Sequence, residues 1–225
     1  MPIHLRPSAP IAADALMPGD PGRALLLAQS LLEQPVMSNH NRGLWGYSGR
    51  TASGAELTIQ STGMGGPSAA IVFTELAELG VKRAIRVGTC GALDPELELG
   101  ELLRVEAAVA ADGVSARLGS DPLVRPDGEL LERLAGAGES RPVTVITTDL
   151  FYESEPGGPG AEGAGAVEME AAPLFGLGER LGVAVGCLLV VSDVFQHGNR
   201  ERIDADALTG AAERMGRLAV AALEA

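Results

Sequence analysis

Apolar and polar positions fall into blocks along this chain, and the blocks alternate between two periods. Short apolar runs of strand character are separated by longer segments of helical period, an order that predicts a layered α/β fold on a largely buried sheet. Residues 12–17 (AADALM) read as a first strand, followed by a turn and a helix over 21–33. Tyr47 to Thr51 and Ala55 to Ser61 flank Ala52-Ser53-Gly54, a hairpin signature. Pro67 opens a helix that runs to Leu79, with Gly80 as its stop. Strands follow at 83–88 and 102–111, then a polar stretch over 112–128, a helix near 128–136 and a strand at 143–147. Residues 153–165 (ESEPGGPGAEGAG) read as a surface loop. A helix over 167–181 precedes the most apolar strand, Val183 to Val191. A Gly/polar loop at 196–204 then leads into an amphipathic helix over 206–224. No repeat or linker interrupts the pattern, so a single domain over 1–225 is expected.

Composition narrows the classes. With 225 residues, 46% of them hydrophobic, the chain can bury an ample core. No window of 18 uninterrupted apolar residues exists, and MPIHLRPSAP lacks the charged-then-apolar pattern of a signal peptide. Cys90 and Cys187 both lie in apolar stretches, which fits free thiols in a reducing cytoplasm. His4, His40 and His197 are scattered, and no Cys/His cluster has metal-ligand spacing, so no metal is expected. A net charge of −13 argues against nucleic acid and anionic membrane as partners. Lys82 is the lone lysine, so an arginine here is informative only through its context.

Five contexts carry chemistry. Arg86-Val87-Gly88-Thr89-Cys90-Gly91-Ala92 places a guanidinium at the mouth of a strand and then reads as a glycine loop. An arginine, a threonine hydroxyl and free backbone amides can cradle a tetrahedral oxyanion, with an ordinary strand-to-loop turn as the alternative. Met17-Pro18-Gly19-Asp20-Pro21-Gly22-Arg23 follows the first strand and opens a helix. Its N-terminus and Arg23 read either as a second anion site or as a Pro/Gly helix start. If both elements follow strands of one parallel sheet, they converge. Gly63-Met64-Gly65-Gly66-Pro67-Ser68 resembles a dinucleotide fingerprint, but Ser68 stands at the third glycine position. A substrate-facing loop with Met64 as apolar surface, or a structural turn, reads better. Val167-Glu168-Met169-Glu170 puts two carboxylates at the head of an apolar helix, either to accept from vicinal hydroxyls or to favour the helix N-terminus. Ser192-Asp193 ends the most apolar strand, where an acid is a candidate general acid or a turn cap.

In that order, MPGDPGR, NRGLWGYSG, TGMGGPSAA, RVGTCGAL, TDLFY, VEMEAA and VVSD resemble the signatures of the trimeric/hexameric purine and uridine nucleoside phosphorylase family. They span residues 17–193, and the aspartate at 193 is similar to the broad purine type. The resemblance implies an α/β fold, a single three-layer α/β/α domain on a mixed central sheet. It implies phosphorolysis of purine ribonucleosides, with inorganic phosphate as co-substrate and no cofactor. It implies phosphate held by Gly19, Arg23, Arg86 and Thr89, completed by Arg42 of a neighbouring subunit. His4 would reach the ribose 5′-hydroxyl across the same interface, in a cytoplasmic homohexamer built as a trimer of dimers. Glu170 would bind the 2′- and 3′-hydroxyls, with Met169 and Met64 on the sugar. Phe151 would lie against the base with Cys90, Gly91, Val167, Glu168 and Ser192. Asp193 would protonate or hydrogen-bond purine N7, helped by Arg200, with Arg202 or neither as the alternatives. Departures are a Gly/Pro-rich segment after Phe151 and a short VFQHGNRER loop. Competing readings are a uridine phosphorylase, a nucleoside hydrolase that needs no phosphate cradle, and a catalytically silent nucleoside-binding protein.

Overall fold

Strand β1 (Asp14–Met17) is the pivot of the sheet. The computed structural model describes residues 2–153, 157–158, 160–196 and 199–225. β1 lies between β4 (Glu56–Gln60) and β5 (Arg83–Ala92) and runs parallel to both, which sets Met17 beside Arg86. Beyond β4, the antiparallel strands β3 (Gly46–Arg50) and β2 (Glu33–Asn39) extend the sheet. β5 pairs in parallel with β10 (Ala184–Gln196) along its far edge, and in antiparallel with β9 (Ala166–Glu168) on the edge it shares with β1. β10 also pairs with β6 (Leu102–Ala111), β6 with β8 (Arg141–Thr148), and β8 with β9. Five strands therefore pair in a closed ring, β5–β10–β6–β8–β9, and this half of the mixed sheet curls on itself. β7 (Leu123–Val124) joins β6, and β11 (Asn199–Arg202) joins β10.

The helices form the two outer layers. α1 (Pro21–Leu31), α4 (Gly128–Gly136) and α6 (Ala205–Glu224) pack together on one face, and α2 (Gly66–Glu78), α3 (Gly113–Leu118) and α5 (Ala171–Leu181) on the other. Strand periodicity divides the core between them. Val185, Cys187, Leu189 and Val191 of β10 join Phe73, Leu76 and Leu174, whereas Leu188 and Val190 join Leu27, Leu134 and Met215. The apolar pattern predicts a layered α/β fold, and the mixed central sheet between two helical layers is the architecture that the family resemblance implies.

Several local expectations are corrected by pairing. The glycine loop expected after 88 is strand to Ala92, because β10 on one side and β9 on the other occupy its hydrogen bonds. The helix expected from 167 starts at Ala171, since 166–168 are held as a strand by β5 and β8. The loop expected at 196–204 contains β11. The polar stretch 112–128 contains α3, capped by Asp112 on the Ser115 N–H at 2.8 Å, and β7. Strand β2 replaces the end of the first helix and was not expected. Of the expected surface loop over 153–165, residues 154–156 and 159 lie outside the described residues, as does His197.

Gly178 marks how closely α5 seats on the sheet. A Cβ there would meet Val185 Cγ2 at 2.6 Å and the Val183 carbonyl oxygen at 2.8 Å. Gly178→Ala is expected to destabilise by about 1–3 kcal/mol despite alanine's better helix propensity. Calorimetry would show this as a lowered Tm, and an unchanged or raised Tm would remove this account of the α5 seat.

Candidate active site

Arg86 is the buried centre of the site. Its side chain arches back over Gly88, where a Cβ would lie 2.7 Å from the guanidinium carbon and 2.7–2.8 Å from both terminal nitrogens. Gly88 is thus a spacer for a cation, not a turn. The guanidinium meets two carboxylates: Nε lies 3.0 Å from Glu168 Oε2 and Nη2 lies 2.6 Å from Glu170 Oε2. No partner among the described residues takes Nη1. Burial alone would lower the Arg86 pKa, but Glu170 and Glu168 outweigh it and push it up.

The two carboxylates are not equivalent. Glu168, expected beside the base, is on β9 and its side chain is fully enclosed. It accepts from Thr147 Oγ1 (2.5 Å) and from the backbone N–H groups of Glu170 (2.8 Å) and Ala171 (2.9 and 3.0 Å). Burial raises the Glu168 pKa and Arg86 opposes that rise. Its place is beneath the site, as the counter-ion that locks Arg86. Glu170 stands just before α5, and its Oε1 accepts the Gly65 N–H at 2.5 Å. That amide is offered by a left-handed residue, φ 83°, which glycine adopts freely. The GMGG loop therefore directs its backbone at a carboxylate of its own chain.

Arg23 comes to the same place from α1. Burial lowers its pKa, Asp20 opposes, the nearby Arg86 lowers it further and Glu170 opposes again. The two arginines and Glu170 thus share one neighbourhood. The helix terminus itself is not free: Asp20 caps it, accepting the N–H groups of Gly22 (3.1 Å) and Arg23 (2.9 Å). This corrects the expectation that those amides await an anion. Gly19 adjoins the β4–α2 loop, its Cβ position 3.1 Å from the Gly63 carbonyl oxygen, and Thr89 is half-buried on β5. Met64 and Met169 line a cavity of about 610 Å³ with Gly65, Val114, Arg117 and Asp149.

The acid is placed by a bulge and a hairpin. β10 skips register against β5 between Val191 and Asp193, and such bulges re-aim side chains. Ser192 Oγ lies 2.7 Å from Asp193 Oδ2 and 3.1 Å from the Cys90 carbonyl oxygen. Asp193 faces Arg202 across the hairpin and Phe195 faces Arg200, so all four side chains share one face. Arg200 Nε and Arg202 Nε lie 2.8 and 3.0 Å from the same Asp193 oxygen, Oδ1. Arg200 also stacks on Phe151, 4.4 Å from the ring centroid, and approaches Phe195 at 6.0 Å. Phe195 packs over Gly91, beside the half-buried Val167. Burial pushes the Cys90 thiol up, so it presents no thiolate.

His4 and Arg42 stand together, apart from these clusters. Arg42 is exposed in a short helical turn (Asn41–Gly43) at a left-handed φ of 58°. The preceding residue, Asn41, donates to the His4 carbonyl oxygen at 2.8 Å. Within one chain neither contacts Arg86 or Asp193.

Sequence reasoning singled out Gly88 and Gly65 only as loop or turn residues, and it missed Thr147 and Glu75. Of those two, Glu75 left a signal, an acid on the buried stripe Val72, Phe73 and Leu76 of α2. Its carboxylate accepts the N–H groups of Ile3, His4 and Leu5 and meets His4 Nδ1 at 2.8 Å. Burial raises the Glu75 pKa, but Leu5, the His4 ring and Ile3 outweigh it and hold it down to about 2.

Fold and site together define an α/β enzyme whose polar groups gather around strand β5. Residues 14–224 match the family model described as the phosphorylase superfamily, and the chain belongs to that family. It is similar to the DeoD-type purine nucleoside phosphorylase of Geobacillus kaustophilus, 35% identical over 204 residues that cover 86% of each chain. The protein of the same description from Clostridium novyi is 34% identical over 194 residues, covering 81% of this chain and 83% of that one. The guanosine phosphorylase of Halorubrum lacusprofundi is 36% identical over 202 residues, 85% of this chain and 83% of that one. Among solved structures, the chain is similar to the purine nucleoside phosphorylase from Toxoplasma gondii in complex with immucillin-H. The TM-score is 0.85 at 25% identity, over 94% of this chain and 90% of that one.

Two outcomes are expected. Gly88→Ala should displace Arg86 and, on the expectation that Arg86 holds phosphate, raise the KM for phosphate about 10-fold or more, a loss of the size of one charge-assisted hydrogen bond. Initial rates against phosphate would show it. The Glu75 clasp should add stability in full above the ordinary carboxylate range and lose it as pH falls through about 2, because its folded pKa is depressed. The Tm gap between wild type and Glu75→Ala should hold constant above about pH 5 and close on acidification.

Proposed function

We propose that this protein cleaves purine ribonucleosides with inorganic phosphate, giving free base and ribose 1-phosphate. The observation that carries the reading is the spacing along β5. The Arg86 guanidinium lies over residue 88, three residues from Gly91, the register partner of Asp193. At about 3.3 Å per residue that is roughly 10 Å, room for a sugar and a base between an anion site and an acid.

In this arrangement Arg23, Arg86, Gly19 and Thr89 hold phosphate, and Arg42 of a neighbouring subunit closes the shell. Glu170 stays tied to Arg86 and Gly65. Each carboxylate oxygen has a second lone pair, and these accept the 2′- and 3′-hydroxyls. Met64 and Met169 pack on the sugar, and Phe151, Cys90, Gly91 and Val167 border the base. The C1′–N9 bond breaks with its electron pair leaving on the base, while a phosphate oxygen forms the new bond to C1′. Asp193 gives its proton to N7 as charge develops there. The Arg200 and Arg202 guanidiniums then stabilise the carboxylate left behind. Orientation of the two substrates supplies much of the remaining acceleration. Phosphate is a co-substrate in this scheme, and no organic cofactor or metal is assigned.

The assembly that fits is a homohexamer built as a trimer of dimers, with His4 and Arg42 exchanged between subunits. Two buried free thiols fit a reducing cytoplasm. No helix among the described residues is long and apolar enough to cross a membrane.

Inosine, guanosine, adenosine and uridine, each assayed with and without phosphate, test the reading. Ribose 1-phosphate from the purines is expected. Free ribose would mean hydrolysis, faster uridine cleavage would mean a pyrimidine enzyme, and binding without turnover would mean a silent protein. Asp193→Asn should lower kcat by about 10² to 10⁴. Arg200→Ala and Arg202→Ala should each lower it less, since either guanidinium alone still reaches Oδ1. Mixing Arg42→Ala subunits with Asp193→Ala subunits should restore activity.

A further inference from the structure

Glu75 does more than tether the N-terminal arm. A carboxylate on the buried stripe of α2 is costly unless its oxygens are hydrogen-bonded. Oε2 accepts the N–H groups of His4 (3.0 Å) and Leu5 (2.6 Å), and Oε1 those of Ile3 and His4 (both 3.0 Å). Those backbone contacts suffice to anchor the arm. The remaining one, Oε1 to His4 Nδ1 at 2.8 Å, acts on a side chain instead. An ionised carboxylate can only accept, so Nδ1 must carry the proton, and in the neutral ring Nε2 is then an acceptor. Nε2 has no partner among the described residues, and the His4 side chain remains 28% exposed. Asn41 grips the His4 carbonyl oxygen and Asn39 Oδ1 accepts the Arg6 N–H at 2.9 Å, so the backbone that carries the ring is held as well.

We propose that Glu75 is a positioning residue that keeps His4 in its Nδ1–H form, making Nε2 an acceptor for a hydrogen-bond donor on C5′ of the nucleoside sugar. This rests on the placement of His4 at a neighbouring subunit's sugar given above. Its consequence is a preference at C5′: a hydroxyl or an ammonium is favoured, and a group that cannot donate is not.

A hydroxyl can rotate to donate or accept, so inosine reports the tautomer poorly. 5′-Amino-5′-deoxyinosine, charged near neutral pH, can only donate, and 5′-deoxyinosine supplies the baseline. Wild-type kcat/KM should favour the amino substrate over the deoxy one by about 10-fold or more, as expected for a hydrogen bond to a charged group. In Glu75→Gln the amide NH₂ can donate to Nδ1 and reverse the tautomer, so that advantage should vanish while 5′-deoxyinosine keeps most of its rate. In a His4→Ala background Glu75→Gln should not change the ratio further. Equal losses on both substrates in Glu75→Gln would make the residue merely structural and overturn the proposal. Nitrogen-15 NMR of the imidazoles in the wild-type protein, with His4→Ala for assignment, needs no variant at Glu75 to fold. An Nε2–H tautomer for His4 overturns the proposal even with catalysis intact. An Nδ1–H tautomer with an undiminished amino advantage in His4→Ala would instead refute the placement of His4 at the sugar, and the C5′ role with it. A wild type that phosphorolyses no purine nucleoside removes the reading of the whole site.

Discussion

A guanidinium enclosed between two carboxylates is the constraint on which the rest of this site depends. Arg86 cannot be removed from water alone, because an unpaired buried charge is among the most costly defects a core can carry. Glu168 neutralises it from below, with three other donors satisfying its oxygens, so that partner is immobile. Glu170 neutralises it from the side and also receives a backbone amide from the β4–α2 loop. The cluster therefore ties β5, β9, the start of α5 and the GMGG loop into one unit, and leaves Nη1 open. A second cation, Arg23, has its charge disfavoured first by burial and then by the nearby Arg86. Two guanidiniums and one unused donor arm meet there, and the proposed phosphate site rests on them.

The acid is built on different physics. Asp193 owes its direction to a one-residue slip in strand pairing and its company to cross-strand geometry. Because Asp193, Phe195, Arg200 and Arg202 share a face of one hairpin, its ion pairs and ring contacts come as a set. Arg200 joins the Asp193 carboxylate to the Phe151 ring, so the two groups proposed to meet the base are mechanically linked. The N-terminal arm is a third, separate device. A buried acid on α2 clasps it, and Asn41 ties it to the loop of Arg42. Two residues assigned to a neighbour's site are thereby presented together.

Much of this was legible in the chain itself. The alternation of apolar runs and helical segments gave the layered α/β fold, and β1, β4, β6, β8, α2, α4 and α6 lie close to where the pattern puts them. Arg23, Arg86, Glu170 and Asp193 stood out because the pattern puts each at a strand end or helix start, although β5 and β10 run on past Arg86 and Asp193. The failures also have a common cause. Gly88 and Gly91 look like turn residues, yet they belong to a strand because strands β9 and β10, distant in the sequence, pair with them. Val167 and Glu168 look helical, and the same pairing makes them a strand.

The sequence by itself therefore determined the class of fold, the apolar faces that meet in the core, and the residue types available for chemistry, since these follow from local periodicity. Only the tertiary structure decided which polar groups meet. Arg86 and Glu168 are 82 residues apart, and His4 and Glu75 are 71 apart. No local preference encodes such a pairing. It arises when strand order and register bring the segments together, and a buried charge then requires the partner that register supplies.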